Sequence, residues 1–292
     1  MTPPRLPDSL AAQQARVTAA IDRILPGEEV EPSSVHRAMR YTTLAPSKRV
    51  RAAVTVLAAE LCGRANDGTI AAAAAVELVH SASLILDDLP SMDNAPLRRG
   101  KPACHVAFGE AVALLAAFGL LNLAFSTLAR ALDASLAARV AALVGDAVGS
   151  DGLIGGQAED LAATDQQISF ETLERIHRRK TGALFSAAAV AGALTAGAAP
   201  SQVGALEAYA KNLGLAFQIV DDLLDVEGDP AETGKATRMD LKKTTFVSFS
   251  GVQGARQLAG ELCATADAAL APFGVRAEPL RQLSAFVAAR RG

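Results

Sequence analysis

Two stretches of the chain crowd carboxylates where a helix should avoid them. The first, Asp87-Asp88-Leu-Pro-Ser-Met-Asp93, closes the apolar run that begins at Ala71. Carboxylates at a helix C-terminus meet the negative end of the macrodipole, which favours cations, and Asp93 adds to the repulsion. The second, Asp221-Asp222-Leu-Leu-Asp225, sits near the end of another apolar run and sets Asp221 and Asp225 one turn apart, where like charges repel. A divalent cation resolves such crowding, and hard carboxylate oxygens suit Mg2+. One motif alone reads as a solvated acidic helix end. Two, each ending a strongly apolar helix, do not.

Cationic clusters accompany the aspartates. Lys48-Arg49-Val-Arg51 follows Pro46-Ser47, and Arg98-Arg99-Gly100-Lys101 comes soon after Asp93. Lys180 closes Arg178-Arg179-Lys180, Lys235 follows Gly234, and Lys242-Lys243 follows Asp240. Metal-binding carboxylates beside several separate cationic clusters meet the needs of a diphosphate site. Arg178 and Arg179 read as solvated surface. On the first helix, Ser83 and His80 share the face of Asp87, with His80 roughly 10 Å back along the axis at ~1.5 Å per residue. On the second, Val203, Leu206, Ala210, Leu213, Phe217, Val220 and Leu224 form a core stripe. The stripe beside it, Gly214, Gln218, Asp221 and Asp225, predicts the edge of a cleft.

Other chemistries fail on inspection. Gly228 to Lys235 imitates a P-loop, but its spacing is too long and Ala236 replaces the required hydroxyl. There is no G-x-S-x-G and no H-E-x-x-H. His36, His105 and His177 lack metal-ligand spacing and read as ordinary surface or packed histidines.

The elements that must hold these residues are helices. Half of the 292 residues are hydrophobic but only 4% are aromatic, so the apolar mass is Ala, Leu and Val, which suits close helix packing. Periodicity predicts helices at Ala11–Leu25, Val35–Tyr41, Val50–Cys62, Ala71–Asp88 and Glu110–Leu132. It continues with Leu136–Ile154, Phe170–Gly197, Gln202–Val226, Val247–Ala271 and Glu278–Arg290. Ser169 and Ser201 stand at N-cap positions. No strand is evident, and the polar stretch from Glu227 to Lys243 predicts a functional loop. The expectation is one all-α domain over 11–292 behind a flexible leader at 1–10. A net charge of −3 disfavours nucleic acid. Cys62, Cys104 and Cys263 form no C-x-x-C and fit a reducing cytoplasm, and the N-terminus has no signal-peptide core. Ala111 to Ala129 and Thr181 to Leu206 are free of charge. They read as buried bundle helices rather than membrane spans, so a soluble protein without stable membrane insertion is expected.

Taken in order, HSASLILDDLPSMDN, LRRGKP, GQAEDL, RRKTGALF, FQIVDDLLD and GKAT…KKTT make the chain resemble the trans-isoprenyl diphosphate synthases, the polyprenyl synthetase family. The resemblance runs from about Pro46 to Ser248, and LILDDLPSMD is most similar to bacterial geranylgeranyl diphosphate synthases. It implies helices around a deep apolar cavity, usually in a homodimer. It implies that Asp87, Asp93 and Asp221 bind three Mg2+ ions holding the allylic diphosphate, with Asp88, Asp222 and Asp225 in support. By the same token Lys48, Arg51, His80 and Arg99 match the isopentenyl diphosphate site. Arg98, Lys180, Lys235 and Lys243 match contacts to the allylic diphosphate, and Thr181 and Gln218 match groups whose oxygens face the developing carbocation.

The chain departs from the family pattern in places. Pro46-Ser47 replaces the usual Gly-Gly, Ala52 the usual Pro, and the loop before Lys243 is shorter, leaving Lys242 as an alternative to Lys243. The leading expectation is a C20 product, with a C15 synthase as the alternative. A class I terpene cyclase would replace the second Asp motif, and a non-catalytic regulatory subunit would lose aspartates; all six are present. Small Ala82 and Ser83, just before the first motif, suggest an open floor for the growing chain, with Val112 to Phe118 of a neighbouring helix as the other candidate floor.

Overall fold

Alanine dominates the helices that meet at the centre, and its small side chain lets their axes approach closely. The computed structural model describes residues 8–227 and 243–290. The elements run α1 (Asp8–Ile24), α2 (Ser33–Thr43), α3 (Val50–Cys62), α4 (Asp67–Asp87), a minimal hairpin of β1 (Leu97–Arg98) and β2 (Lys101–Pro102), α5 (Cys104–Phe108), α6 (Glu110–Ala131) and α7 (Ala134–Val148). They continue with α8 (Leu153–Ala162), α9 (Phe170–His177), a π-helical turn (Arg178–Gly182), α10 (Ala183–Thr195) and α11 (Pro200–Glu227). The chain closes with α12 (Phe246–Ala269), a 3-10 segment (Ala271–Ala277) and α13 (Glu278–Ala288).

Helix α10 packs against α3, α4 and α11. A Cβ on Gly192 of α10 would strike the backbone of Thr55 in α3, so that crossing is built on a missing side chain. Helix α4 is apolar on every side through Ala71–Val76 and is buried over that stretch, as a central helix must be. Its start is tied down by a capping box between Asn66 and Thr69, whose hydroxyl lies 2.9 Å from that of Thr195 at the end of α10. A second apolar cluster, including Leu173, Leu215, Ile219, Leu223 and Phe246, joins α9, α11 and α12 below the second aspartate motif.

The all-α expectation is met, and the differences are local. The expected helix Leu136–Ile154 stops at Val148, because Gly149 to Gly152 turns the chain. A new helix, α8, then carries GQAEDL, which periodicity did not separate. The run Phe170–Gly197 is interrupted by the π turn. Ser169 caps α9, accepting from the Thr172 amide at 3.2 Å. Ser201 caps nothing: α11 begins at Pro200, whose fixed φ suits a first helical position, and Gln202 accepts from the Ala199 amide instead. Helix α1 starts at Asp8, ahead of the expected Ala11. Helix α11 is described as far as Glu227, and the rest of the expected loop, 228–242, lies outside the described residues.

Helix α6 also departs from its expected burial. Leu114, Leu115 and Phe118 are 39%, 57% and 65% exposed, because α4 and α2 cover only one side of it. By length and composition α4 and α6 are both apolar enough to cross a membrane, and α4 is mostly buried in the protein.

Candidate active site

Between the C-terminal halves of α4 and α11 lies a cavity of about 740 Å³. It gathers Lys48, Arg51, His80, Asp87, Asp93, Arg98 and Arg99 from the first half of the chain. Lys180, Thr181, Gln218, Asp221, Asp222, Asp225 and Lys243 come from the second. Among the described residues one expected site residue is missing from its wall. Asp88 lies beneath it, 1% exposed, and Lys235 falls outside the described residues, as does Lys242. Leu84, Met92, Leu153, Leu161, Leu184 and Phe217 give the remaining wall an apolar surface.

At the first motif, α4 ends and the chain curls so that the Asp93 amide bonds to the Asp87 carbonyl at 2.9 Å. Asp88 turns inward and takes the forked guanidinium of Arg98, with Nε 3.0 and 3.1 Å from its two oxygens. Arg98 reaches it from the β1–β2 hairpin, whose turn residues Arg99 and Gly100 both have positive φ, 55° and 73°. That is the backbone a two-residue hairpin demands and glycine adopts most readily. Burial raises the Asp87 carboxyl above its usual range, Lys180 opposes the rise and Asp93 adds to it.

At the second motif the pattern repeats with other donors. Asp221 faces the cavity, 2.9 Å from Nη1 of Arg290. Asp222 is 3% exposed and accepts from Gln218 Nε2 and from the Phe246 amide, both at 3.0 Å. Gln218 in turn accepts from the Thr181 hydroxyl at 2.8 Å. The π turn, which widens the helix by one residue, brings Lys180 and Thr181 together onto the cavity wall. Gly156 of α8 makes that possible, since a Cβ there would collide with the Lys180 backbone.

A carboxylate unassigned from sequence, Asp160 of α8, links the two halves. Its Oδ2 lies 2.7 Å from Lys180 Nζ and 3.1 Å from Lys243 Nζ, and Lys243 also reaches Asp93 at 2.9 Å. Burial alone would raise Asp160, but the two ammonium groups hold it below the usual range. Lys243 is held above its ordinary value: burial acts against the charge, and Asp160 and Asp93 more than offset it.

The other lobe is cationic. Arg51 Nη1 lies 3.3 Å from His80 Nε2, and its guanidinium sits over the Phe185 ring at 4.6 Å. Lys48 lies over Phe286 and Arg290 over Phe217. Burial, then Arg51 and Arg99, push His80 well below 6.5. Burial and neighbouring Arg49 bring Arg99 down to about 10. Arg290, Glu77 and Asp160 line this cavity without having been singled out by sequence, and Arg49, named there only as part of a cationic cluster, lines it too. GQAEDL contained Asp160, but no local charge pattern marked it, and Arg290 reads as part of a terminal basic run.

One sequence expectation is overturned. Ala82 is fully buried among core side chains and does not border the cavity, because its direction on α4 faces the packed interior; Ser83, next to it, does border the cavity. No residue of α6 lines the cavity among the described residues, so Val112 to Phe118 form no floor either.

Asp87, Asp93, Asp221 and Asp225 face this one space, yet among the described residues no three carboxylate, His or Cys groups converge tightly enough to hold an ion alone. That donor set fits Mg2+, which keeps much of its shell as water and substrate phosphate and takes only one or two carboxylates from protein.

The family model for polyprenyl synthetase matches residues 32–263. A chloroplastic geranylgeranyl pyrophosphate synthase of Capsicum annuum is 42% identical over 267 residues, covering 89% of this chain and 72% of that protein. A dimethylallyltranstransferase of Fischerella ambigua is 38% identical over 291 residues, covering 98% and 84%. Among solved structures, an FPP/GFPP synthase from Zymomonas mobilis is similar with a TM-score of 0.85 at 35% identity, over 96% of this chain and 99% of that one. A geranyltransferase from Helicobacter pylori, complexed with magnesium and isoprenyl diphosphate, has a TM-score of 0.84 at 29% identity, over 97% of each chain.

Proposed function

The chain belongs to the polyprenyl synthetase family, and from that premise we infer that it condenses isopentenyl diphosphate with allylic diphosphates to make geranylgeranyl diphosphate. The observation that carries the reading is the division of one apolar-walled cavity into two polar lobes. One is lined by Asp87, Asp93, Asp221 and Asp225, the other by Lys48, Arg51, His80 and Arg99. We assign one diphosphate to each, beside the apolar side chains of the same wall.

In this reading the allylic diphosphate lies between the two aspartate motifs, where Lys180 and Lys243 face its oxygens. Asp87, Asp93 and Asp221 would hold Mg2+, three ions in our assignment, and the bound metal would supply positive charge to stabilise the departing diphosphate. The hydroxyl of Thr181 and the amide oxygen of Gln218, already bonded to each other, present lone pairs to the allylic carbon as its C–O bond breaks. The isopentenyl double bond, held by its own diphosphate on Lys48, Arg51, His80 and Arg99, forms the new C–C bond. A proton then leaves the isopentenyl unit for the released diphosphate. Leu84, Leu161, Leu184 and Phe217 keep water from the cation.

Purified protein incubated with labelled isopentenyl diphosphate, dimethylallyl diphosphate and Mg2+ tests the reading by chromatography of dephosphorylated products. A C20 alcohol is expected; C15 would overturn the chain length. A cyclic hydrocarbon would favour a terpene cyclase, and no turnover a regulatory subunit. Ser83, small and at the cavity wall, supports the longer product, and Ser83→Phe should shift it toward C15. We assign a homodimer and a cytoplasmic location as well. The exposed face of α6 is apolar and suits a second copy, and the three cysteines are free thiols. A monomer on size-exclusion chromatography would overturn the former.

A further inference from the structure

The turn that carries Lys48 and Arg51 is held by a residue outside it. Helix α3 begins after Arg49, whose φ of 46° is left-handed and whose side chain offers no oxygen to cap the exposed amides. Such a conformation is costly for a residue with a Cβ and persists only where its surroundings over-determine it. Here Glu77 of α4 supplies the missing acceptor. Its Oε1 takes the Ala52 amide, third in the helix, at 3.0 Å. This is the bond an N-cap carboxylate would make, delivered from a different helix. Its Oε2 lies 3.3 Å from Nη1 of Arg49, whose other nitrogen donates to the Thr43 carbonyl at the end of α2. Both side chains of the ion pair are 2% exposed.

We propose that Glu77 is a positioning residue: it anchors Arg49, caps α3, and so fixes Lys48 and Arg51 for the diphosphate of the isopentenyl substrate. The assignment rests on the reading of that lobe given above. The division of labour among the arginines supports it. Arg49 and Arg98 are each committed to a buried carboxylate, Glu77 and Asp88. Among the described residues no carboxylate pairs with Arg51 or Arg99, and these two remain for a phosphate. Glu77 also precedes His80 by one turn on α4. Because Arg51 meets His80, the seat is keyed to the same helix that ends in Asp87. A buried ion pair is weak as a source of stability, since desolvation cancels much of its attraction; what this one secures is geometry.

Steady-state kinetics on the full chain test it with Glu77→Gln and with the doubly neutral Glu77→Gln/Arg49→Met. Loss of one charge-assisted bond should raise the KM for isopentenyl diphosphate roughly tenfold in Glu77→Gln, while the KM for the allylic diphosphate changes by less than about twofold. The double variant removes the stranded guanidinium, so its melting temperature should recover while the isopentenyl KM stays raised. If that KM returns with the melting temperature, or if both KM values rise together, Glu77 serves only stability and the proposal fails. Should the wild type not consume isopentenyl diphosphate at all, the reading of the lobe fails instead, a result distinct from either.

Discussion

The two aspartate motifs solve the same problem with different materials. In each, the first Asp faces the cavity and the second is buried, Asp88 beneath the wall and Asp222 within it. Asp88 is matched by a charge, the fork of Arg98. Among the described residues Asp222 accepts from the Gln218 amide and the Phe246 N–H. The third Asp also differs. Helix α4 ends at Asp87, so Asp93 returns through a turn, whereas α11 runs on to Glu227 and sets Asp225 one helical turn beyond Asp221. Pairs that read alike in sequence therefore split into a more open and a buried member, and the buried members differ in what their loss leaves behind.

The largest expected effect falls on the cavity-facing pair. Asp87→Ala and Asp221→Ala should each lower turnover roughly 10³-fold, about 4 kcal/mol of transition-state stabilisation, with little change in melting temperature. Either variant at near wild-type rate would sink the symmetry between the motifs, and chelation with EDTA should abolish activity until Mg2+ is restored.

Next comes Asp88→Ala, which leaves Arg98 partly buried without its counter-charge and should cost about 3 kcal/mol in chemical denaturation. A smaller effect of similar origin is set by pH. Burial brings His177 down to about 4, with Asp160 opposing the drop and Lys180 and Lys243 adding to it. The unfolded chain takes up this proton near 6.5, so the stability His177 contributes is complete above that pH. It is lost as pH falls from 6.5 to about 4, by no more than about 3 kcal/mol. His177 packs against the Phe246 ring at 5.3 Å, so this loss bears on the second motif. His177→Phe should flatten the slope of melting temperature over that window. It should not abolish the slope, because His80 is also held below 6.5. An unchanged profile would count against a buried neutral His177.

The smallest effect is expected for Asp222→Asn, whose amide oxygen still accepts from Gln218 or from the Phe246 N–H, at about 1 kcal/mol. Equal costs for Asp88→Ala and Asp222→Asn would erase the contrast between the two supports.

Much of this architecture is legible in the order of the residues. Periodicity locates α3 to the residue, and the spacing of Asp221 and Asp225 on one face of α11 is where the cavity finds them. Ala82 escapes such reasoning because a position one turn from a motif can point either side of a helix, and only packing decides which. The break that creates α8 is hidden because Gly149 to Gly152 interrupts an otherwise continuous apolar period.

By itself the sequence determined the helical class, the family and the identities of the groups that face the cavity, since these depend on local periodicity and on residue types that recur in order. Tertiary structure alone decided the partners. Glu77 caps α3 across 25 residues of chain, Asp160 bridges Lys180 and Lys243, and Arg290 meets Asp221 from beyond the last helix. Electrostatic and hydrogen-bonded pairing depends on distances of a few ångströms in space, and separation along the chain carries no trace of them.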